Sequence, residues 1–354
     1  MNNSELNQPN IKKLGNFRRQ AVRLSPTELV KTEYFQPDKL LPMIIQPSIE
    51  GLNIAPWFQE NREFIETSLL KHGGILFRNF QINKISDFEN FIKAVTSKLL
   101  EYSYRSTPRS QVSGNIYTST EYPAEQFIPL HNEMSYSRTW PMKIFFHCVT
   151  KAPQGGDTPI ADSRRVFAQI HPTIREKFQQ KNVMYTRNYG QNLDLPWENV
   201  FQTNNKVKVE AYCRNHSIEF EWYGQDCLRT RQICQAVATH PQTGEIVWFN
   251  QAHLFHVSSL NSAVRKGLLA GFKEKELPRN AYYGDGSSIE TSVLDQIREV
   301  YQQEAITFPW QAGDVLLLDN MLVCHGRTPF RGSRKVLVGM SEPFSSLTEK
   351  KIVI

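Results

Sequence analysis

The feature that most constrains this chain is a set of two histidines and one glutamate that lie far apart in the sequence. His131 and Glu133 are two positions apart, and His325 lies near the end of the chain. Side chains at positions i and i+2 of a strand point to the same face, so the first two can reach one metal ion. Two imidazoles and a carboxylate on one face of a metal are the ligand set of non-haem Fe(II) oxygenases. The pattern therefore predicts an iron site to which His325 comes from a second strand.

An early and a late strand lie close together in a double-stranded β-helix, the jelly-roll or cupin-like fold, so this spacing favours that architecture. Apolar runs predict strands over residues 74–80, 143–149, 314–318 and 335–340. Helical spacing predicts helices over 57–72, 85–100, 164–181 and 292–304, the third of them with a break at His171 and Pro172. Alternation around Asn215 predicts a β-hairpin over residues 207–222. We expect a mainly β fold with flanking helices: a polar N-terminal arm over 1–25, then a single domain over 26–354. A long insert, about 165–310, should separate the metal-binding strands.

Composition narrows the class of protein. The 354 residues are 40% hydrophobic and 21% charged, which is ordinary for a globular protein with a large core. The net charge of +6 is scattered, which favours a solvated surface or an acidic protein partner over a nucleic-acid site. No stretch approaches the roughly 20 apolar residues that span a bilayer. Five cysteines without a Cys-x-x-Cys pair, and an N-terminus without an apolar signal core, predict a reducing cytoplasm and no structural disulfides.

Other histidines offer weaker alternatives. His253 and His256 are three positions apart and could share a metal on a helix, but no carboxylate stands at a natural distance from them. His147 lies in an apolar strand, where a buried imidazole with a hydrogen-bond partner is the favoured interpretation. Sequence patterns of a phosphate loop and of a Gly-x-Ser-x-Gly hydrolase are absent.

A 2-oxo acid that chelates iron needs a fixed cation for its remote carboxylate, and the planar fork of arginine matches it. Arg334 begins the strand after His325 and can point into the same barrel. Thr158 follows the turn at Gly155 and Gly156 and could add a hydroxyl. Taken alone, Arg334 would be a surface ion pair and Thr158 a turn residue.

Six motifs occur in order at residues 130–136, 141–148, 155–162, 248–251, 314–320 and 325–334. Over about residues 70 to 345 they resemble the TauD/TfdA superfamily, and within it the SyrP-like branch associated with nonribosomal peptide assembly. The resemblance implies a double-stranded β-helix enzyme that uses Fe(II), 2-oxoglutarate and O₂. It matches His131, Glu133 and His325 to the iron ligands, and Thr158 and Arg334 to the 2-oxoglutarate contacts. In such enzymes 2-oxoglutarate becomes succinate and CO₂ while the substrate loses a hydrogen atom and usually gains a hydroxyl group.

Two positions narrow the chemistry that the resemblance implies. Glu133 stands where taurine-type members carry aspartate. A glutamate at this position matches the branch that acts on amino-acid-like substrates. Family halogenases have a small residue there, so halogenation is disfavoured. Val338 stands where members that bind small sulfonates carry a second arginine, which disfavours a taurine-like substrate.

Three functions stay open on the sequence alone. The first is hydroxylation of a C–H bond in an amino acid or amino-acid-derived substrate, free or tethered to a peptidyl carrier protein. The second is desaturation or cyclisation of a free small metabolite with the same cofactors. The third is a catalytically inactive binding or scaffold protein. The candidate substrate contacts are Asn115, Tyr117, Thr118, Asn250, Gln251 and Arg327, for which ordinary structural hydrogen bonding is the alternative.

Overall fold

The computed structural model describes residues 28–36, 39–101, 104, 106–190 and 194–346. The polar arm predicted over residues 1–25 lies outside the described residues. The strands are, in chain order, β1 (Val30–Gln36), β2 (Lys39–Pro47), β3 (Gly74–Phe77), β4 (Gln111–Ser113), β5 (Ile116–Thr118), β6 (Ile128–His131), β7 (Thr139–Thr150), β8 (Gln154–Gly155), β9 (Ile160–Asp162), β10 (Val183–Tyr189), β11 (Glu219–Tyr223), β12 (Cys227–Cys234), β13 (Val237–Thr239), β14 (Ile246–Trp248), β15 (Arg279–Tyr283), β16 (Val315–Asp319), β17 (Val323–Arg327), β18 (Phe330–Arg331) and β19 (Lys335–Ser345).

The α-helices lie at the N-terminal side of the chain and in the segment between β9 and β16. They are α1 (Ile54–Glu60), α2 (Arg62–His72), α3 (Ile85–Val95), α4 (Ser163–Gln169), α5 (Pro172–Lys181), α6 (Trp197–Phe201), α7 (Lys206–Asn215), α8 (Ala252–Phe255), α9 (Ser262–Gly271) and α10 (Thr291–Glu304). No helix among the described residues is long and apolar enough to cross a membrane. All five cysteines are unpaired thiols.

Two facing sheets form the centre of the molecule. The larger has the order β1-β2-β3-β16-β7-β19-β5-β4, and the smaller has the order β6-β17-β9, with the pair β18-β8 beyond it. The central strands of the large sheet are buried on both faces, so they are continuously apolar rather than alternating. Phe145 of β7 packs toward the N-terminal helices, whereas its neighbours Ile144 and Phe146 belong to the apolar core that also contains residues of β9 and β17.

The segment between β9 and β16 adds a second layer of structure over the smaller sheet. It contains α4 to α10 and a four-stranded sheet of order β11-β12-β10-β15. Its apolar core includes Leu130 next to His131 and Cys324 next to His325. The insert therefore packs directly behind the strands that carry the two histidines. The expectation of a single domain over 26–354 stays a prediction.

Most predicted elements lie close to their expected places, with two differences. The helix predicted over 57–72 is divided at Asn61, whose backbone N–H bonds back to Phe58 and Trp57 and closes α1 before α2 begins. The hairpin predicted over 207–222 is wrong, because most of this segment forms α7 and only its end forms β11. The side chain of Asn205 accepts hydrogen bonds from the N–H groups of Val207 and Lys208, which gives the segment a helix N-cap.

Candidate metal centre

The two histidines and the glutamate predicted to bind iron lie together in the structure. His131 ends β6 and pairs in register with His325 of β17, and their ring centroids are 4.7 Å apart. His325 Nε2 lies 3.7 Å from Glu133 Oε2. One ligand atom from each of the three residues lies within 4.8 Å of the other two. Across the part of the chain that the structure describes, no other group of three His, Cys, Asp or Glu side chains meets this condition.

Glu133 lies beyond the end of β6, so strand alternation alone does not place it. Asn320, a fully buried residue after β16, fixes it instead. Asn320 Oδ1 accepts the backbone N–H of Glu133 at 2.7 Å, and Asn320 Nδ2 donates to the Glu133 carbonyl at 2.9 Å. Nδ2 also donates to the carbonyl of Pro141 at 2.8 Å, at the start of β7. One amide side chain therefore ties the glutamate to both sheets.

The surroundings of His131 favour a neutral imidazole. Its Nδ1 donates to the carbonyl of Pro129 at 2.8 Å, which leaves the lone pair on Nε2. Burial, followed by the nearby His325, lowers the pKa of His131 to about 4. The ring is therefore unprotonated near pH 7, as a metal ligand must be.

The carboxylate of Glu133 is held in its ionised form. Burial would raise its pKa, but the Arg109 guanidinium and the two histidines outweigh burial and hold the pKa well below its usual range. Arg109 Nη2 donates to Glu133 Oε2 at 2.7 Å, and both side chains are almost fully buried. Two imidazoles and one carboxylate are a donor set that fits Fe(II).

A cleft opens beside these residues. Its lining includes His131 and His325 together with the two predicted 2-oxoglutarate contacts, Thr158 and Arg334. Phe146 of the large sheet lies across the cleft from β17, with its ring centroid 4.9 Å from that of His325. Two pairs of predicted residues, distant in sequence, therefore share one cavity.

The contacts of Arg334 and Thr158 suit a carboxylate ligand. Arg334 Nε donates to the Gly156 carbonyl at 2.7 Å and Nη1 to Ser119 Oγ at 3.3 Å, which fixes the fork. Nη2 makes no hydrogen bond to a described residue, so it can donate to a ligand. Thr158 Oγ1 accepts from Trp310 Nε1 at 3.1 Å, which leaves its own proton to donate. The donors present fit the remote carboxylate of 2-oxoglutarate.

Five of the six candidate substrate contacts have other partners and are absent from the cleft lining. Asn115 Nδ2 donates to the Leu99 carbonyl at 3.1 Å, and Tyr117 is buried in the core between the sheets. Thr118 Oγ1 donates to Glu121 and accepts the N–H of Ser110 at 2.9 Å.

Asn250 and Gln251 bond to backbone rather than to the cleft, through the carbonyls of Ala236 at 2.7 Å and Asn132 at 2.8 Å. The substrate role proposed for these positions therefore gains no support from their geometry. Arg327 does line the cleft, and it donates to the carbonyls of Tyr122, Pro123 and Gln126.

The rival histidines do not converge on a metal. His253 Nε2 donates to the Leu130 carbonyl at 3.0 Å, and His256 Nδ1 accepts the N–H of Ser258 at 3.1 Å. His147 is buried, donates from Nδ1 to the Asp314 carbonyl at 3.2 Å and stacks on Phe88. The interpretation of His147 as a buried, hydrogen-bonded core residue is confirmed.

Sequence reasoning missed Arg109 and the role of Asn320. Arg109 lies in an irregular segment before β4, where no periodicity indicates which side chains point inward. Asn320 gave a weak signal, because a polar residue directly after the buried run of β16 needs partners. The sequence around Arg109 and Asn320 does not identify Glu133 as their partner, because Glu133 is distant in sequence from both.

Comparison with known proteins places these features in context. The sequence model of the family described as "Taurine catabolism dioxygenase TauD, TfdA family" matches residues 36–341. The dapdiamide synthesis protein DdaC of Enterobacter agglomerans is 42% identical over 300 residues, which cover 85% of this chain and 91% of that protein. A clavaminate synthase-like protein of Arabidopsis thaliana is 28% identical over 337 residues, 90% of this chain and 98% of its own.

A solved structure shares the architecture. The putative α-ketoglutarate-dependent taurine dioxygenase of Burkholderia xenovorans superposes with a TM-score of 0.51 at 15% identity, covering 90% of this chain and 95% of that one. At this identity the likeness concerns the fold. The double-stranded β-helix predicted from the sequence is confirmed.

Proposed function

This chain belongs to the TauD/TfdA family and is an Fe(II)- and 2-oxoglutarate-dependent dioxygenase, and from that premise we propose that it hydroxylates a C–H bond of an amino acid or amino-acid-derived substrate. The observation that carries the proposal is the meeting of His131, Glu133 and His325 beside a cleft that His131 and His325 line together with Arg334 and Thr158. The similarity to a dapdiamide synthesis protein supports a place in specialised metabolite biosynthesis.

In this proposal each side chain has a defined task. His131, Glu133 and His325 hold the iron, and Arg334 and Thr158 hold the remote carboxylate of 2-oxoglutarate. Bound there, iron, 2-oxoglutarate and O₂ together supply the oxidant that removes a hydrogen atom from a substrate carbon.

The surrounding residues set the conditions for that chemistry. The Pro129 carbonyl orients His131, Asn320 positions Glu133, and the Trp310 N–H turns the Thr158 hydroxyl proton outward. Phe146 covers one side of His325 with apolar surface, which keeps water from part of the cleft.

The substrate is presented either free or on an acidic peptidyl carrier protein, which the net charge of +6 would suit. The unpaired state of all five thiols supports a location in the cytoplasm.

Succinate release tests the ligand assignment. We expect the purified protein with Fe(II), 2-oxoglutarate, ascorbate and O₂ to release succinate and to add one oxygen mass to an amino-acid substrate. His131→Ala and Glu133→Ala should each lower succinate release at least ~100-fold, because each removes an inner ligand of the metal. His256→Ala, in the rival histidine pair, is the control and should retain activity. Undiminished turnover in the first two variants would refute the assignment.

A second prediction concerns the cosubstrate. Arg334→Ala should raise the KM for 2-oxoglutarate at least ~10-fold, because a charge-assisted hydrogen bond to a carboxylate is lost. The Fe(II) concentration needed for half-maximal activity should change little, because Arg334 is not among the ligands. Arg165→Ala removes an exposed arginine paired with Glu304 and should leave both values unchanged. An unaltered KM in Arg334→Ala would mean that another cation holds the cosubstrate.

A further inference from the structure

The turn that carries Glu133 has a backbone conformation that other groups must support. It joins β6 to β7 over residues 132–138. Met134, directly after Glu133, has a φ of 58°, which lies in the left-handed region. A residue other than glycine adopts this conformation at a cost in free energy, and it persists where the surrounding structure holds it. The position of the Glu133 carboxylate therefore depends on the groups that hold this turn.

The insert supplies some of these groups. Gln251 Nε2 donates to the Asn132 carbonyl at 2.8 Å, and His253 Nε2 donates to the Leu130 carbonyl at 3.0 Å. Both donor side chains are buried, and they lie at the start of α8. Their two acceptors are the backbone carbonyls on either side of His131. The insert therefore holds the piece of chain that carries the first two proposed metal ligands.

A third side chain of the insert holds the far end of the turn. Gln235, between β12 and β13, donates from Nε2 to the carbonyls of Ser135 at 3.0 Å and Ser137 at 3.1 Å. The insert therefore makes hydrogen bonds to the backbone on both sides of Glu133. Because most of this turn is buried, water is a poor substitute for these donors.

The two donors at the start of α8 are themselves anchored. The backbone N–H of Gln251 donates to the hydroxyl of Tyr185, on β10, at 2.7 Å. The carbonyl of His253 accepts a hydrogen bond from Arg298 Nη2, on α10, at 2.8 Å. Side chains on a fixed backbone can hold a ligand-bearing segment within the small tolerance that a metal site allows.

We infer that Gln251 and His253 are positioning residues of the metal centre, through which the insert places His131 and Glu133 for metal binding. This inference rests on the proposed function, in which those two residues are iron ligands. It gives Gln251 a role other than the substrate contact predicted from the sequence. Because coupling between two sites is reciprocal, metal binding should in turn stabilise α8.

Mn(II) affinity tests the role of Gln251 without turnover. Mn(II) is titrated alone into the full-length wild type and into Gln251→Met, with free Mn(II) followed by electron paramagnetic resonance. Methionine keeps a long side chain at this position but has no N–H to donate. We expect the Kd for Mn(II) to rise at least ~10-fold, because the ligand-bearing segment loses its support. An unchanged Kd overturns the proposal.

The matched control is Gln232→Met. Gln232 is a buried glutamine of the same insert, and its Nε2 also donates to a backbone carbonyl at 2.8 Å, that of His216. This acceptor follows α7 and is not adjacent to a proposed metal ligand. The variant loses an equivalent hydrogen bond and should keep the Mn(II) affinity of the wild type. An equal loss of affinity in both glutamine variants would reduce the role of Gln251 to general stability and overturn the proposal.

A pair of substitutions tests His253. His253→Leu removes the donor, whereas His253→Gln replaces it with the N–H of a side-chain amide. The Kd for Mn(II) should rise at least ~10-fold in the first variant, and the second should recover most of that loss. Equally weakened binding in the two variants would mean that the hydrogen bond to Leu130 does not position the centre, which overturns the role of His253.

Hydrogen exchange in the wild type tests the reciprocal effect without any substitution. Added Mn(II) should slow exchange of the backbone N–H groups of α8, measured by mass spectrometry. Exchange in β11, at the far edge of the four-stranded sheet, should change less. Exchange in α8 that does not respond to Mn(II), or that slows no more than in β11, overturns the coupling.

His131→Ala separates this inference from the function on which it rests. Mn(II) binding should be lost in this variant, because it removes a proposed ligand itself. Normal Mn(II) binding by His131→Ala would refute the ligand assignment, and the positioning role with it. Loss of binding in His131→Ala but not in Gln251→Met would refute the positioning role alone.

Discussion

At the scale of single residues, the metal centre depends on polar side chains that never touch the metal. Asn320 satisfies both the N–H and the carbonyl of Glu133, and Asn132 Nδ2 donates to the Asn320 carbonyl at 2.7 Å and to Ser163 Oγ at 2.9 Å. Because these groups are buried, a missing partner cannot be replaced by bulk water. The geometry of the carboxylate ligand is therefore set by amide side chains one layer away.

Replacing Asn320 by Ala should damage both stability and metal binding. The change leaves the buried N–H of Glu133 without its acceptor, so the free energy of unfolding should fall by about 2–3 kcal/mol. Mn(II) affinity should fall by about 10- to 100-fold, because the ligand loses its support. Urea unfolding and Mn(II) titration measure the two effects.

Asn115→Ala is the comparison for Asn320→Ala. Asn115 makes one 3.1 Å hydrogen bond to a carbonyl and lies away from the cleft lining. It should cost about 1 kcal/mol at most and leave the metal affinity unchanged. Equal effects from the two substitutions would show that Asn320 has no special role at the centre.

At the scale of elements, the centre depends on how closely β17 approaches β6. Gly326 follows His325, and a Cβ atom there would lie 2.5 Å from the Ile128 carbonyl oxygen and 3.3 Å from the Leu130 nitrogen. Both atoms belong to the backbone of β6, so neither can rotate away. Only glycine allows the spacing at which His325 and His131 face each other.

Gly326→Ala should therefore separate the two histidines. Overpacking of this kind costs about 1–3 kcal/mol of unfolding free energy, and the strands must move apart to accept the methyl group. We expect Mn(II) affinity and succinate release to fall by at least ~10-fold, measured beside thermal unfolding. Gly267→Ala on α9 is the control, because a Cβ there meets nothing within 4 Å. It should be neutral or stabilise the helix by up to about 1 kcal/mol. Normal metal binding by Gly326→Ala would contradict this view of the strand pair.

The elements also show where sequence patterns succeed and fail. The apolar runs of β7, β16 and β19 were predictable because strands buried on both faces have a strong and continuous signal. The β-hairpin prediction for residues 207–222 was wrong because Val207, Val209 and similar residues alternate by chance within a helix. The α-helical hydrogen bonds and the Asn205 cap outweighed that alternation.

At the scale of the whole molecule, packing of the insert buries histidines as neutral groups. Burial, followed by Arg298, lowers the pKa of His256 to about 4, and burial lowers the pKa of His253 to about 3. Both His72 and His147 also have lowered pKa values, with burial as the main cause. These histidines therefore stay unprotonated in the native state at pH values where they bind a proton in the unfolded chain, in which their pKa has its ordinary value of about 6.5.

The free energy of unfolding should consequently decrease as the pH is lowered below neutrality. Between pH 6.5 and 4 the unfolded state binds more protons than the native state, so the free energy of unfolding decreases as pH falls. A buried histidine such as His256 contributes on the order of 3 kcal/mol to this loss. Urea midpoints measured across this range should drop steeply, and less steeply in His256→Gln. A flat profile in the wild type would mean that the buried imidazoles open to water before the fold is lost.

The sequence by itself determined the chemistry and the class of fold. The sequence contains His131, Glu133, His325 and Arg334 in this order, and they specify a donor set that only a few architectures can assemble. The apolar strands indicate one of those architectures. Only the tertiary structure decided which residues support that set. The reason is physical: Asn320 and Arg109 act through hydrogen bonds to a distant glutamate, and no periodicity along the chain records a contact made across two sheets.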